Sequence, residues 1–181
     1  MPSSHGLKPR RVAVALAAIA LLLQLGLVVY TSRPGPEKEA GAGARIPPFS
    51  IAHLENPDAT LTDRDLEKGH AVVLNFFASW CGPCAVEHPL LMDLAKTAPV
   101  IGIDHMDRSS DAARYLAKLG NPYATVGTDT DGKVLADFGF DSIPTTLILN
   151  GDGNVLYVHR GRLRTSDIDD AIRPLLSKVA P

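Results

Sequence analysis

The chain has 181 residues, 45% of them apolar and 21% charged, with a formal net charge of −2 and only two cysteines. Residues 1–45 carry a net charge of +4 and residues 46–181 a net charge of −6. A C-terminal part of net acidic charge is a poor nucleic-acid binder, because phosphate contacts need clustered Lys and Arg, and nucleic acid is set aside.

In chain order, residues 1–11 form a short basic segment containing Lys8, Arg10 and Arg11, and are expected to stay cytoplasmic. Residues 12–30 contain no charge and only Gln24 and Gly26 as interruptions, a run of 19 residues that can cross a bilayer as one helix. The preceding basic residues hold the N-terminus inside, so the chain after Tyr30 is expected to be translocated. A cleaved signal peptide is the alternative; the length of the run and the lack of a small-x-small site directly after Tyr30 favour an uncleaved anchor. Arg10-Arg11 lacks the surroundings of a twin-arginine signal and reads as a basic n-region. Residues 31–45 are Pro, Gly and small residues, a linker composition. Residues 46–181 suffice for one globular domain with its own core.

Within that domain, Ala71 to Phe77 is a nearly continuous apolar run, the pattern of a strand buried on both faces. From Gly82 the pattern turns helical, with Val86, Leu90, Leu91, Leu94 and Ala95 assigned to the apolar stripe and Pro83 allowed in the first turn. Val100 to Ile103 reads as a second strand, and Ser110 as the cap of a helix from Asp111 to Leu119 that stops at Gly120. Tyr123 to Val126 is extended, Asp129 to Gly132 turns, and Val134 to Phe138 is a short helix. Thr145 to Leu149 and Val155 to Val158 flank the turn sequence Asn150-Gly-Asp-Gly-Asn154 and predict an antiparallel hairpin. A last helix is expected from about Ser166 to Lys178, with Ser166 and Asp169 at capping-box spacing and Pro174 kinking or breaking it. Parallel β-α-β units followed by a hairpin and a closing helix predict an α/β fold of thioredoxin-like type, a central mixed β-sheet flanked by helices.

The chemistry concentrates at Trp80-Cys81-Gly82-Pro83-Cys84, which holds both cysteines. A zinc site needs four ligands and no second pair exists, so a redox-active Cys81–Cys84 disulfide is favoured over a metal half-site or an inert bridge. At a strand-to-helix junction, unpaired N–H groups and the macrodipole stabilise an anion, which makes Cys81 the expected accessible attacking thiolate and Cys84 the more buried resolving thiol. Trp80 either covers the site or merely packs. Gly82 and Pro83 shape the ring. Glu87 lies three residues after Cys84 on the same side of the helix and is the candidate proton acceptor for Cys84, the alternative being a solvated carboxylate. Pro144 reads either as a strand-start proline or as a cis-proline. His53, His70, His88, His105 and His159 lack ligand spacing, so no metal site is expected.

On Phe77-Ala-Ser-Trp-Cys81, Cys84-Ala-Val-Glu-His88, Leu119-Gly-Asn-Pro-Tyr123 and the run from Leu147 to Gly161, the chain resembles membrane-anchored thioredoxin-like proteins. The likeness is greatest to the DsbE/CcmG thiol:disulfide interchange type used in cytochrome c maturation. The resemblance implies a bacterial inner-membrane protein, single-pass, with its C-terminal domain in the periplasm. It would act as a reductant of apocytochrome c or of a maturation helper protein, supplied with electrons by a membrane thiol reductase of the DsbD/CcdA kind. It also implies that Pro144 is cis and faces the cysteines, with Ile143 docking an extended substrate by edge-strand addition. Two departures stand out: Ile143-Pro144-Thr145 replaces the family's usual Ala-Pro-Glu, and the Gly-Pro insert is that of ordinary thioredoxin. Where many thioredoxins carry a buried Asp, six residues before the first cysteine, this chain has Asn75, an amide that cannot relay protons. A TlpA-like reductase serving the copper-site cysteines of a respiratory oxidase is the nearest alternative. A non-catalytic thioredoxin-like binding module and a metal chaperone are more distant ones.

Overall fold

The computed structural model describes residue 24 and residues 43–178. The predicted membrane span over 12–30 therefore lies, Gln24 apart, outside the described residues, as do the N-terminal segment and most of the linker. Among the described residues, no helix is long and apolar enough to cross a membrane. The chain divides into two units, and the fold below is that of the second, Glu39–Pro181.

β3 (Val72–Phe77) is buried along its whole length. Val73 and Phe77 point into one core and Val72, Leu74 and Phe76 into the other, which is why the sequence shows an unbroken apolar run. It is the middle strand of a five-stranded sheet. β4 (Val100–His105) and β5 (Thr125–Asp129) run parallel on one side, and β6 (Thr145–Leu149) and β7 (Val155–Arg160) antiparallel on the other, in the order β5-β4-β3-β6-β7. Parallel neighbours need crossover connections. These are α1 (Gly82–Leu94) between β3 and β4 and α2 (Ser109–Leu119) between β4 and β5. A short α3 (Lys133–Asp137) precedes β6. The C-terminal helical stretch comprises α4 (Thr165–Asp167), a π-helical segment Ile168–Ile172 and α5 (Arg173–Lys178). One core joins Leu91, Leu94, Leu116 and Ile172 to the face of the sheet that carries the cysteines; the other joins Phe49, Leu61 and Leu66 to the opposite face.

Several sequence expectations are corrected. Val86 is 59% exposed and Ala95 is exposed; the buried face of α1 is Cys84, Glu87, His88, Leu91 and Leu94. The inward stripe includes two polar residues, so assigning the face by apolarity alone rotated it. The helix α2 starts at Ser109 rather than after Ser110, and its preceding residue, Arg108, makes no side-chain cap. The C-terminal stretch starts at Thr165, and the capping contact is Arg164 N–H donating to Asp167 Oδ2 at 2.8 Å, in place of a Ser166–Asp169 box. Pro174 does not end that stretch. Proline removes a donor, and the turns just before it widen to π geometry while the helix continues to Lys178. The sequence reading also passed over Pro89, which α1 accommodates in its interior. It likewise missed a small antiparallel pair, β1 (Ser50–Ala52) and β2 (Thr60–Thr62), leading into a 3-10 turn at Asp63–Leu66. Residues 43–45, read above as linker, lie along the start of β7: Gly43 N–H donates to Val155 O at 2.7 Å and Val155 N–H to Ala44 O at 2.8 Å.

Candidate active site

β3 ends at Phe77, and after three intervening residues the chain enters α1 through the cysteine pair. Cys81 and Cys84 are joined in a disulfide, with Cα atoms 5.3 Å apart. Cys81 is the N-cap residue of α1 in extended conformation, and its Sγ accepts the Cys84 N–H at 3.2 Å. Pro83 stands in the first turn, where its missing N–H leaves no helical bond unmade. Reduction would leave Cys81 Sγ facing an N–H that already points at it and the positive end of a 13-residue helix, both of which favour the thiolate.

The expectation of an outward-facing Cys81 needs correction. Cys81 exposes 4% of its surface and Cys84 2%, so the difference in burial is slight. In the closed ring Cys81 Sγ lies against the first turn of α1, where it accepts the Cys84 N–H. Around the pair, Trp80, Gly82 and Pro83 are exposed and Ile143 is half-buried, so the disulfide lies just under the surface.

Trp80 is not packed into the core. It is 59% exposed, and its indole Nε1–H donates to the Met106 carbonyl at 3.1 Å. Met106 (φ 47°) is the one non-glycine residue with positive φ among the described residues. Beside this contact, Ser79 N–H donates to Asp107 Oδ2 at 2.6 Å. The β4–α2 loop thus grips the segment that presents Cys81.

On the inner side, Glu87 is fully buried. Its Oε2 accepts the Leu163 N–H at 2.7 Å and its Oε1 accepts Asn75 Nδ2–H at 3.0 Å. Burial pushes its pKa up from 4.5 to about 7, against the opposing pull of these two hydrogen bonds and of the Arg162 charge. Asn75 is equally buried; Nδ2 also donates to Thr146 Oγ1 at 3.0 Å, and Oδ1 accepts the Tyr123 hydroxyl at 2.8 Å. The amide therefore ties Glu87 to β6 and to the segment before β5. Sequence reasoning treated Asn75 as a lost function. The missed signal was that Asn75 is the one polar residue in β3, opposite the threonine pair Thr145-Thr146 that opens β6.

The Ile143–Pro144 peptide is cis. Pro144 is buried, and its carbonyl accepts the Gly161 N–H at 2.8 Å. Because Thr145 pairs with Phe76, Pro144 lies at the end of the sheet from which the Cys81 loop departs. Ile143 packs partly against both cores.

A thioredoxin-like α/β sheet whose central strand runs into a Cys-x-x-Cys helix start defines a thiol:disulfide oxidoreductase. The chain belongs to the redoxin family, whose model matches residues 41–172. It is 33% identical over 180 residues to the thiol:disulfide interchange protein DsbE of Xylella fastidiosa, covering 94% of this chain and 91% of that one. It is 35% identical over 173 residues to DsbE of Escherichia coli K12, covering 95% and 93%, and 38% identical over 146 residues to CycY of Rhizobium leguminosarum, covering 80% and 77%. Among solved structures, a DsbE-type protein from Chlorobium tepidum superposes with a TM-score of 0.64 at 26% identity over 77% of this chain and 97% of its own.

Proposed function

We propose that the protein is a membrane-tethered reductant of the periplasm that keeps the cysteines of apocytochrome c, or of a maturation helper, as thiols. The observation that carries this reading is the Cys81–Cys84 ring at the helix start with the buried, near-neutral Glu87 one turn below Cys84. The likeness to DsbE and CycY supports the assignment to this pathway, and the basic segment followed by the apolar run 12–30 supports the anchor and the location.

In the reaction, the reduced protein's Cys81 thiolate attacks one sulfur of the substrate disulfide. The other substrate sulfur leaves as a thiolate and takes a proton. Cys84 gives its proton to Glu87 and attacks Cys81 Sγ, which releases the second substrate thiol and closes the Cys81–Cys84 disulfide. Two electrons pass from the protein's dithiol to the substrate, and a membrane thiol reductase of the DsbD/CcdA kind restores the dithiol. The disulfide itself is the only redox group this cycle requires. Ile143 and cis-Pro144 dock the extended substrate beside the ring; among the described residues neither main-chain group of Ile143 has a backbone hydrogen-bond partner. Trp80 adds an exposed aromatic face to the same surface, and Gly82 and Pro83 hold the ring.

Cys84→Ser is expected to trap a mixed disulfide through Cys81 in cells, with apocytochrome c or a maturation protein as the captured chain. Recovery of only respiratory-oxidase partners would move the assignment to the TlpA-like reading. Recovery of no covalent partner, with Cys81→Ser giving the same profile, would overturn it.

A further inference from the structure

Asp104, two residues before Met106, where the grip on the Cys81 loop begins, is used by none of the chemistry above. It lies on β4 in register with Phe77, the last residue of β3, and is 1% exposed. Its two carboxyl oxygens are the only buried side-chain N or O atoms without a hydrogen-bond partner among the described residues. Side chains alternate along a strand, so Asp104 shares the face of Gly102. A Cβ placed on Gly102 would meet Phe77 and Tyr123, on the face whose core includes Cys81 and Cys84.

The groups that face Asp104 are mostly acids. Asp107, from the β4–α2 loop, is occupied in holding Ser79 N–H and Arg108 N–H. Asp129, from β5, is fixed by the N–H groups of Val134 and Leu135 and by His105. Burial pushes the hydroxyl pKa of Tyr123 well up, and the nearby Tyr115, Glu87 and Asp104 add to it. Tyr115 of α2 and Tyr123 both pack against the Phe77 ring. His105 is the one base in this set, and it is engaged by Asp129. Burial first, then the nearby charges of Asp107 and Asp129, raise the Asp104 pKa from 3.8 to about 8; the contact with Asp107 is too loose to satisfy either Asp104 oxygen.

We propose that Asp104 is a positioning residue of the redox pair: as the neutral acid it leaves Cys81 free to hold its thiolate, and as the carboxylate it opposes that thiolate and tilts exchange toward the disulfide. The inference rests on the thiol exchange itself and not on the identity of the substrate. A purely structural acid would change the redox equilibrium by the same factor at every pH. A charge on the cysteines' face of the sheet changes it only where the acid ionises.

The test is the equilibrium of the purified protein with reduced and oxidised glutathione, for wild type and Asp104→Asn, at about pH 6 and about pH 9.5. The ratio of the two proteins' constants cancels the titration of glutathione. It is expected to shift about tenfold toward the reduced variant between the two pH values. A ratio that stays constant overturns the assignment. If Asp104→Asn does not fold, NMR titration of the wild-type Asp104 carboxyl decides: a higher midpoint in the reduced than in the oxidised protein is expected, and equal midpoints overturn it. Wild type that fails to exchange with glutathione at all would overturn both this assignment and the proposed function.

Discussion

Replacing Glu87 by Gln removes one ionisation from the core while keeping the size of the side chain. In the folded protein, Glu87 titrates at about 7 rather than 4.5. The native state therefore binds a proton that the unfolded chain has released between these two values, and stability falls as pH rises through that window. At about 1.4 kcal/mol per tenfold change, the full penalty above neutrality is about 3 kcal/mol. Glu87→Gln lacks it. The amide has its own defect, because one oxygen cannot accept from both Leu163 N–H and Asn75 Nδ2, and the displaced donor costs about 1–3 kcal/mol at every pH. The variant should be less stable than wild type in mild acid and about equal to it above neutrality. Urea unfolding of the two oxidised proteins across this range would show it, since Asp104 and His88 titrate in both and cancel in the difference. A stability difference that stays constant with pH would refute the view that Glu87 is a high-pKa acid in the core.

Asn75→Ala breaks the bonds to Glu87, Thr146 and Tyr123 and leaves the Tyr123 hydroxyl buried without an acceptor; a loss of about 2–4 kcal/mol is expected in chemical denaturation. Asn75→Asp places a second carboxyl on Glu87 and should move the Glu87 titration above 7, measurable by carboxyl NMR. Gly102→Ala would set a Cβ 2.9 Å from both Phe77 Cε1 and Tyr123 Cγ, within a ring stack 4.6 Å apart, and should cost about 1–3 kcal/mol in thermal or urea unfolding. His88 is kept neutral by burial, which lowers its pKa from 6.5, so its contribution is intact above that value and is lost as pH falls below it. His88→Gln should flatten that acid limb of the stability profile.

The runs at 71–77, 100–103 and 145–149 were legible as strands because segments buried on both faces are mostly apolar and β-branched or aromatic, with Asn75, Thr145 and Thr146 as the polar exceptions. The cysteine motif and Pro144 were legible because few other structures use those residues at those places. The orientation of α1 was not. Its inward face carries Glu87, which its spacing from Cys84 had already placed there, and His88, which a stripe drawn by hydrophobicity rejects and the contact with Tyr115 brings inside while Val86 and Ala95 turn outward. Asp104 was missed for a related reason: the second strand was ended at Ile103 on reaching a charge, whereas pairing with β3 and β5 carries it on to His105. The pair β1 and β2 has three residues per strand, too short for a period to show.

Residues 43–45 are pinned to the start of β7, and β7 begins beside Leu149, which pairs with Val72 at the opening of β3. The cysteine loop leaves the other end of β3, five residues and roughly 17 Å away. Residue 43 thus lies at the end of the sheet opposite the one that presents the reactive sulfurs, and the two ends of β3 divide the start of the folded domain from its chemistry.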